Sequence, residues 1–361
     1  MDKIVKFFEC LVPVSVCNLK CEYCYVIQEN NRHMKLAEFK YSPEHIGKAF
    51  SQKRLGGVCF VSICGAGETL AQDQVVDIVY NILAQGHYVN ITNNGTMTKR
   101  IERLMTFPKE FRERLHFSFS FHYKELERLN LLDTFFNNVA TVKKMGCSYL
   151  VQMNLCDSYI KEKDKIKQLC MERIGALPQI AVTRDEKEVK FKFFTNYTDQ
   201  EYIDFGNEFD SEMFKLGVEN INRKQNDFCY AGSWSFRVDL ATGMAKRCYA
   251  EYDFMNFFEN IDKPIKPYPI GKCCKSKYCI NSIHFLALGM VPEYKCGSYG
   301  EIRNRKCLDG TTFLNSRTEK VFQQKLYDNN HVYTKFELSF IKAWGRIKTK
   351  LKGAVKKILR K

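Results

Sequence analysis

The strongest constraint on the fold is an alternation. Apolar, β-rich runs at 7–16, 58–64, 88–92, 116–121, 149–155 and 189–194 are separated by stretches with helical spacing. Ser42 followed by Pro43 reads as an N-cap with proline in the first turn, opening a helix that runs to about residue 53. Residues 72–85 place Val75, Val76, Val79, Ile82 and Leu83 on one face, and Gly86 stops them. Further helices are expected at 99–105, at 124–145 before Gly146, and at 159–174. Strand and helix thus alternate about six times over some 200 residues. Such alternation demands a parallel sheet of the α/β class, either open and doubly wound or closed into a complete or partial barrel. In each architecture the chemistry belongs at the C-terminal ends of the strands.

After Thr195 the alternation stops, and 201–227 is polar without a clear period, which reads as a connector between a barrel (1–200) and a cysteine-rich module. That module, residues 228–310, holds seven cysteines, four prolines and little periodicity, the mark of a loop-rich unit held by something other than a core. Residues 311–361 form a tail. A length of 361 residues suits this division, since one hydrophobic core rarely serves more than roughly 250. There is no run of eighteen apolar residues and no small-residue cleavage site near the N-terminus, so a transmembrane helix and a secreted, disulfide-bonded protein are both disfavoured. A reducing, cytoplasmic setting is expected.

Cys17, Cys21 and Cys24 form C-x3-C-x2-C directly after the first expected strand. Three sulfurs a few residues apart can wrap one cuboidal iron-sulfur cluster, and the missing fourth leaves one iron open for chemistry. The residues alone leave open a zinc knuckle with His33 as fourth ligand. The segment CNLKCEYCY, with Tyr23 before the third cysteine, resembles the signature of the radical S-adenosylmethionine (radical SAM) superfamily. Gly65-Ala66-Gly67-Glu68 after the second strand is similar to that family's glycine-glutamate motif, with Thr69 where proline is frequent. Asn93-Asn94-Gly95-Thr96 is similar to its Thr-Asn-Gly segment.

The resemblance implies a partial (β/α)6 TIM-type barrel. It implies that Cys17, Cys21 and Cys24 hold a [4Fe-4S] cluster whose open iron binds S-adenosylmethionine. It further implies reductive cleavage to a 5'-deoxyadenosyl radical, hydrogen abstraction from substrate, and a reductant such as flavodoxin or ferredoxin. Cofactor contacts are expected from Tyr23, Gly65, Gly67, Glu68, Asn94, Ser118, Ser120 and Asn154. His122 is a weaker candidate, and no residue is assigned as the catalytic acid or base. Ser118, Ser120 and His122 share one face of an alternating strand and would equally suit a polar barrel lining. Cys10, Cys59, Cys64, Cys147, Cys156 and Cys170 sit among apolar neighbours and read for the most part as buried small hydrophobes, with Cys64 and Cys156 set apart by falling at strand ends near the expected site.

Downstream, Cys229 precedes Gly243-x4-Cys248, which resembles the opening of the SPASM or twitch extension, where a hairpin supplies two cysteines to an auxiliary [4Fe-4S] cluster. Residues 235–240 alternate, and Ala241-Thr242-Gly243 is a turn, so a hairpin is expected on physical grounds as well. The ligand set expected is Cys229, Cys248, Cys274 and Cys279, with Cys273, Cys296 and Cys307 as substitutes and a structural zinc site as the alternative occupant.

The charge of +15 is concentrated: residues 340–361 hold nine basic side chains and no acid, leaving +6 for the other 339. Trp344, Ile347, Leu351, Val355 and Ile358 form one stripe opposite the lysines. A basic amphipathic helix of this kind suits an anionic membrane surface, placing the protein peripherally on the inner membrane face; no nucleic-acid partner is expected. The tail tilts the substrate toward a membrane-associated glycan or envelope precursor. The alternative is a radical SAM peptide or protein maturase, although the sixteen residues before Cys17 leave no room for the N-terminal peptide-binding domain such relatives usually carry. A reading of another class is a non-catalytic zinc or iron-sulfur protein that tethers a partner to membranes.

Overall fold

The computed structural model describes residues 2–186, 190–224, 226–272, 274, 276, 278–279 and 282–339. The expected basic helix at 340–361 and Cys273 lie outside the described residues. No helix among the described residues is long and apolar enough to cross a membrane.

Six parallel strands build the barrel wall: β1 (Ile4–Val12), β2 (Val58–Gly65), β3 (Tyr88–Asn93), β4 (Leu115–Ser120), β5 (Ser148–Asn154) and β6 (Gln179–Ala181). They are paired in sequence order from β1 to β6. A hairpin of β7 (Arg184–Asp185) and β8 (Lys192–Phe193) stands apart as a two-stranded sheet. The sequence expectation of a sixth barrel strand at 189–194 is therefore corrected: β6 comes earlier, where Ile180 is fully buried and Gln179 nearly so. Three residues are too short a run to show a period, whereas the alternating V-K-F-K-F-F is conspicuous but ends in a peripheral hairpin.

On the other edge, β9 (Ser235–Asp239) pairs in parallel with β1, and β10 (Met244–Lys246) and β11 (Met255–Asn256) continue antiparallel. The hairpin expected around Gly243 thus forms and extends the barrel sheet itself. Gly243 has φ +78°, and a Cβ there would meet Asn256 Oδ1 at 2.3 Å.

The helices follow their sequence signals with corrections: the helix expected to about 53 breaks into Pro43–Ala49 and Gln52–Leu55, and the one at 159–174 into Asp157–Ile160 and Lys163–Ile174. Ser42 Oγ accepts the His45 amide at 3.2 Å and caps the helix Pro43–Ala49. The long helix expected at 124–145 is two, Tyr123–Arg128 and Leu132–Lys144, because Asn130 turns into the left-handed region at φ +54°. The stretch read as a connector carries two helices, Asp199–Asn207 with a Thr198/Glu201 capping box, and Glu212–Asn220 capped by Ser211. Their short lengths and mixed faces hid the period.

Outside the sheet, side chains such as Phe8, Phe50, Phe236 and Phe257 interlock with ring centroids 4.9 to 5.7 Å apart. Burying one such ring stabilises by about 2–3 kcal/mol. The N-terminal end of the barrel is filled by the returning segment 298–326. Tyr299 and Phe322 pack on Phe60 at 5.2 and 4.7 Å, the Tyr149 amide donates to Phe313 O at 2.9 Å, and Asn315 N donates to Ser148 Oγ at 2.9 Å.

Candidate active site

Burial along the strands shows which way the barrel opens. Outward-facing residues of the C-terminal halves are sealed beneath the helices: Cys10 and Val12, Ile63, Ile91, Phe119, Val151 and Met153. The residues between them, Leu11, Ser62, Cys64, Thr92, Ser120, Gln152, Asn154, Ala181 and Arg237, face inward and are all partly accessible. The N-terminal halves show no such contrast. The barrel is therefore plugged at one end and hollow at the C-terminal end of its strands, where this architecture places chemistry.

The cysteine loop lies over that mouth and is fastened to the two neighbouring strand ends. The Gly67 amide donates to Val14 O at 2.7 Å and the Glu68 amide to Val16 O at 2.8 Å. A Cβ on Gly67 would meet Val16 O at 2.2 Å, so only glycine permits this approach. Glu68 is 3% exposed; its Oε1 accepts from Leu70 N at 2.9 Å and its Oε2 from Asn94 N at 2.8 Å. Burial raises the Glu68 carboxyl to about 7 against these two bonds. Its observed work is to clasp the turn after β2 to the turn after β3. Thr69 uses its hydroxyl to accept the Gly65 amide at 2.8 Å and closes the same turn.

Asn94 ties the third turn to the cysteines. Its Nδ2 donates to Asn18 Oδ1 at 2.8 Å and lies 3.9 Å from Cys17 Sγ, while Arg32 donates to Cys17 O at 2.7 Å. Lys20 N donates to Glu125 Oε2 at 2.6 Å. Tyr23 is buried, and its hydroxyl bonds His122 Nδ1 at 2.6 Å and the Tyr159 hydroxyl at 3.2 Å. Burial lowers His122 to about 4, so the ring is neutral near pH 7.

The three sulfurs are mutual neighbours. Burial raises the Cys21 thiol most, and the adjacent Cys17 and Cys24 raise it further. Unneutralised thiolates in such company repel one another, and a bound cationic iron core relieves that repulsion. Soft thiolates with an amide N–H at one sulfur are a donor set that fits an iron-sulfur cluster. His33, the zinc-knuckle candidate, is exposed.

Of the other expected contacts, Ser120 and Asn154 line the mouth. Ser118 lies one inward position deeper and is already engaged, donating to Asn90 Oδ1 at 2.8 Å and accepting from Arg303 Nη1 at 2.8 Å. Sequence reasoning missed the charged lining: Glu9, Arg237 and, from outside the barrel strands, His284 and Arg303. Glu9 is 7% exposed, its Oε2 lies 3.2 Å from His284 Nε2, and Cys64 Sγ lies 4.0 Å from its Oε1. A lone acid inside the apolar strand F-F-E-C-L-V was the one available signal.

In the second cysteine region, burial pushes the Cys229 thiol up to about 12, with Cys248, Cys279 and Cys274 as its charged neighbours, and Cys248 up to about 11. The four expected ligands thus share one neighbourhood. Cys296 instead lies 3.9 Å from Lys325 Nζ, and Cys307 packs 3.7 Å from the Tyr149 hydroxyl. No disulfide joins any of the described cysteines. No three His, Cys, Asp or Glu side chains among the described residues converge as if on a single ion. A cuboidal cluster places each thiolate on its own iron and asks for a wider spacing.

No protein-family model matches the sequence, and no curated protein matches it. Among solved structures, SuiB of Streptococcus suis superposes with a TM-score of 0.50 at 13% identity, over 72% of this chain and 65% of that one. SuiB bound to its precursor peptide SuiA gives 0.50 at 14% identity, over 73% and 64%. Native anSMEcpe with bound AdoMet gives 0.48 at 15% identity, over 96% and 100%. The chain spans about two-thirds of the length of SuiB, and at these identities the likeness establishes one thing, that this chain has the partial-barrel fold of SuiB.

Proposed function

We propose that this protein is a radical SAM enzyme. The observation that carries the reading is the fastening of the Cys17–Cys21–Cys24 loop, through Gly67, Glu68 and Asn94, across the open C-terminal mouth of the barrel. When bound, a [4Fe-4S] cluster with S-adenosylmethionine supplies one-electron cleavage of the sulfonium and, from it, a carbon radical that takes hydrogen from substrate. The protein's own residues do the rest. Cys17, Cys21 and Cys24 hold the cluster, the Gly65–Glu68 and Asn93–Thr96 turns fix the loop, and Ser120 and Asn154 line the space beneath it. The plug of Tyr299, Phe322 and Arg303 closes the far end to water. Cys229, Cys248, Cys274 and Cys279 hold an auxiliary [4Fe-4S] cluster, and a small reductant such as flavodoxin or ferredoxin delivers the electron.

SuiB, which shares the fold, is solved with a precursor peptide, so peptides are the first substrate class to assay. The membrane-associated glycan or envelope precursor rests on the basic tail alone. The test is anaerobic reconstitution. The wild type should hold about eight irons, four for each of two clusters, and convert S-adenosylmethionine plus dithionite into 5'-deoxyadenosine. Replacing Cys17, Cys21 and Cys24 by alanine should remove about four irons and all product, whereas Cys229→Ala with Cys248→Ala should remove the other four and leave uncoupled cleavage. A fully iron-loaded wild type that forms no 5'-deoxyadenosine would return the protein to the metal-binding, tethering class.

A further inference from the structure

Two arginines face the hollow of the barrel without an ion pair among the described residues. Arg303 comes from the returning segment and lies against β4, with Nη1 donating to Ser118 Oγ at 2.8 Å and its guanidinium 4.3 Å over the Tyr299 ring. Its Nε is buried without an acceptor, and among the described residues no carboxylate pairs with it. Arg237, on β9, faces the same interior beside Glu9 of β1, yet its guanidinium lies 4.5 Å over the Tyr249 ring and makes no ion pair among the described residues. The interior carboxylates are committed elsewhere. Glu9 turns to His284 at 3.2 Å, and Asp239 Oδ1 accepts the Ala241 and Thr242 amides at 2.9 Å each.

Holding a guanidinium away from bulk water without a paired carboxylate is costly, and contacts to a ring and a hydroxyl return only part of it. Beyond its bonds to Ser118 and Tyr299, Arg303 retains N–H donors in the fork that matches a carboxylate or phosphate, and the residue is partly accessible. Such charges in a cleft mark functional positions.

We propose that Arg303, assisted by Arg237, forms an anion-binding subsite in the barrel and that the substrate enters with a carboxylate or phosphate group directed at it. As a substrate subsite this rests on the enzyme reading above; as an anion site it does not. Arg303 fixes the anionic group near the floor of the cavity, leaving the remainder of the substrate extended toward the cysteine loop at the mouth.

The full-length, reconstituted protein is titrated calorimetrically with sodium phosphate, sodium acetate and uncharged acetamide at constant ionic strength. The two anions should give one saturable site that acetamide does not. Arg303→Gln should weaken it about tenfold or more, the loss of one charge-assisted pair, while Arg303→Lys retains most of the affinity. Should Arg303→Gln fail to fold, phenylglyoxal labelling of wild-type Arg303, followed by mass spectrometry, reads the same site. Phosphate should slow that labelling, and labelling indifferent to phosphate overturns the proposal. So does anion binding that is unchanged in Arg303→Gln and Arg237→Gln. Wild-type 5'-deoxyadenosine formation is scored on the same preparation. Its absence with intact anion binding removes the enzyme reading and keeps the site, and its presence without anion binding does the reverse.

Discussion

Gly67 is the position where a single carbon should decouple the cysteine loop from the barrel. A Cβ added there would lie 2.2 Å from Val16 O and 2.8 Å from Val16 C. Carbon–oxygen contacts are comfortable only beyond about 3.3 Å, so in Gly67→Ala the two backbones must part by roughly 1 Å. Flexible side chains cannot absorb this, because the obstructing atoms are main chain. The parting strains the Gly67 N–Val14 O and Glu68 N–Val16 O bonds of 2.7 and 2.8 Å. Overpacking costs about 1–3 kcal/mol and each lost hydrogen bond about 1, so the local penalty is about 2–4 kcal/mol. Val16 immediately precedes Cys17, so the displacement passes into the first cluster ligand. Misplacement by about 1 Å is worth roughly a hundredfold in rate. Gly67→Ala should therefore lose S-adenosylmethionine affinity and slow 5'-deoxyadenosine formation by roughly 30- to 100-fold. Iron content, equilibrium binding of S-adenosylmethionine and product formation are measured beside Gly146→Ala. That control has φ +80° with nothing within 4 Å, and should cost only about 1 kcal/mol of global stability. If Gly67→Ala keeps wild-type affinity and rate, the turn does not position the loop.

Two further outcomes are expected. His87 is fully buried; its Nδ1 accepts the Cys59 amide at 3.0 Å, its Nε2 donates to Phe50 O, and burial depresses it to about 4. The unfolded chain takes up this proton near pH 6.5 and the native chain does not, so the stability His87 contributes is complete above pH 6.5 and is lost as pH falls toward 4. Between pH 7.5 and 5 the stability gap between wild type and His87→Gln, read by urea unfolding, should narrow by about 2 kcal/mol, and a pH-independent gap would contradict the assignment. The tail is tested by flotation with vesicles of anionic and of neutral lipid. The full chain should float with the anionic vesicles and a chain lacking 340–361 should not, and equal flotation refutes the membrane reading.

Much of this was legible in the residues. The barrel strands from β1 to β5 came from apolar runs bounded by turns, because a strand covered by helices outside has nothing polar to place there. The glycine of the hairpin at 243 was read from turn chemistry, and the cysteine spacing pointed to the loop. Among the helices, the break at Asn130 was missed because a single left-handed residue interrupts a period without changing the composition around it. β6 was missed because three residues carry no period at all.

The parallel architecture and the local chemistry of each loop are written in the residues, since both depend on neighbours within a few positions. Which loops meet is set by the packing of distant elements. Glu68 joins turns 26 residues apart through the Asn94 amide, the β9 hairpin closes on β1, and Arg303 reaches Ser118 across 185 residues. Such contacts leave no local pattern, because the energy that holds them comes from packing between elements whose separation along the chain is set by everything between them. The charge inside the barrel belongs to this second kind: Arg303 is an ordinary arginine in a loop-rich stretch until the fold carries it beneath the strands.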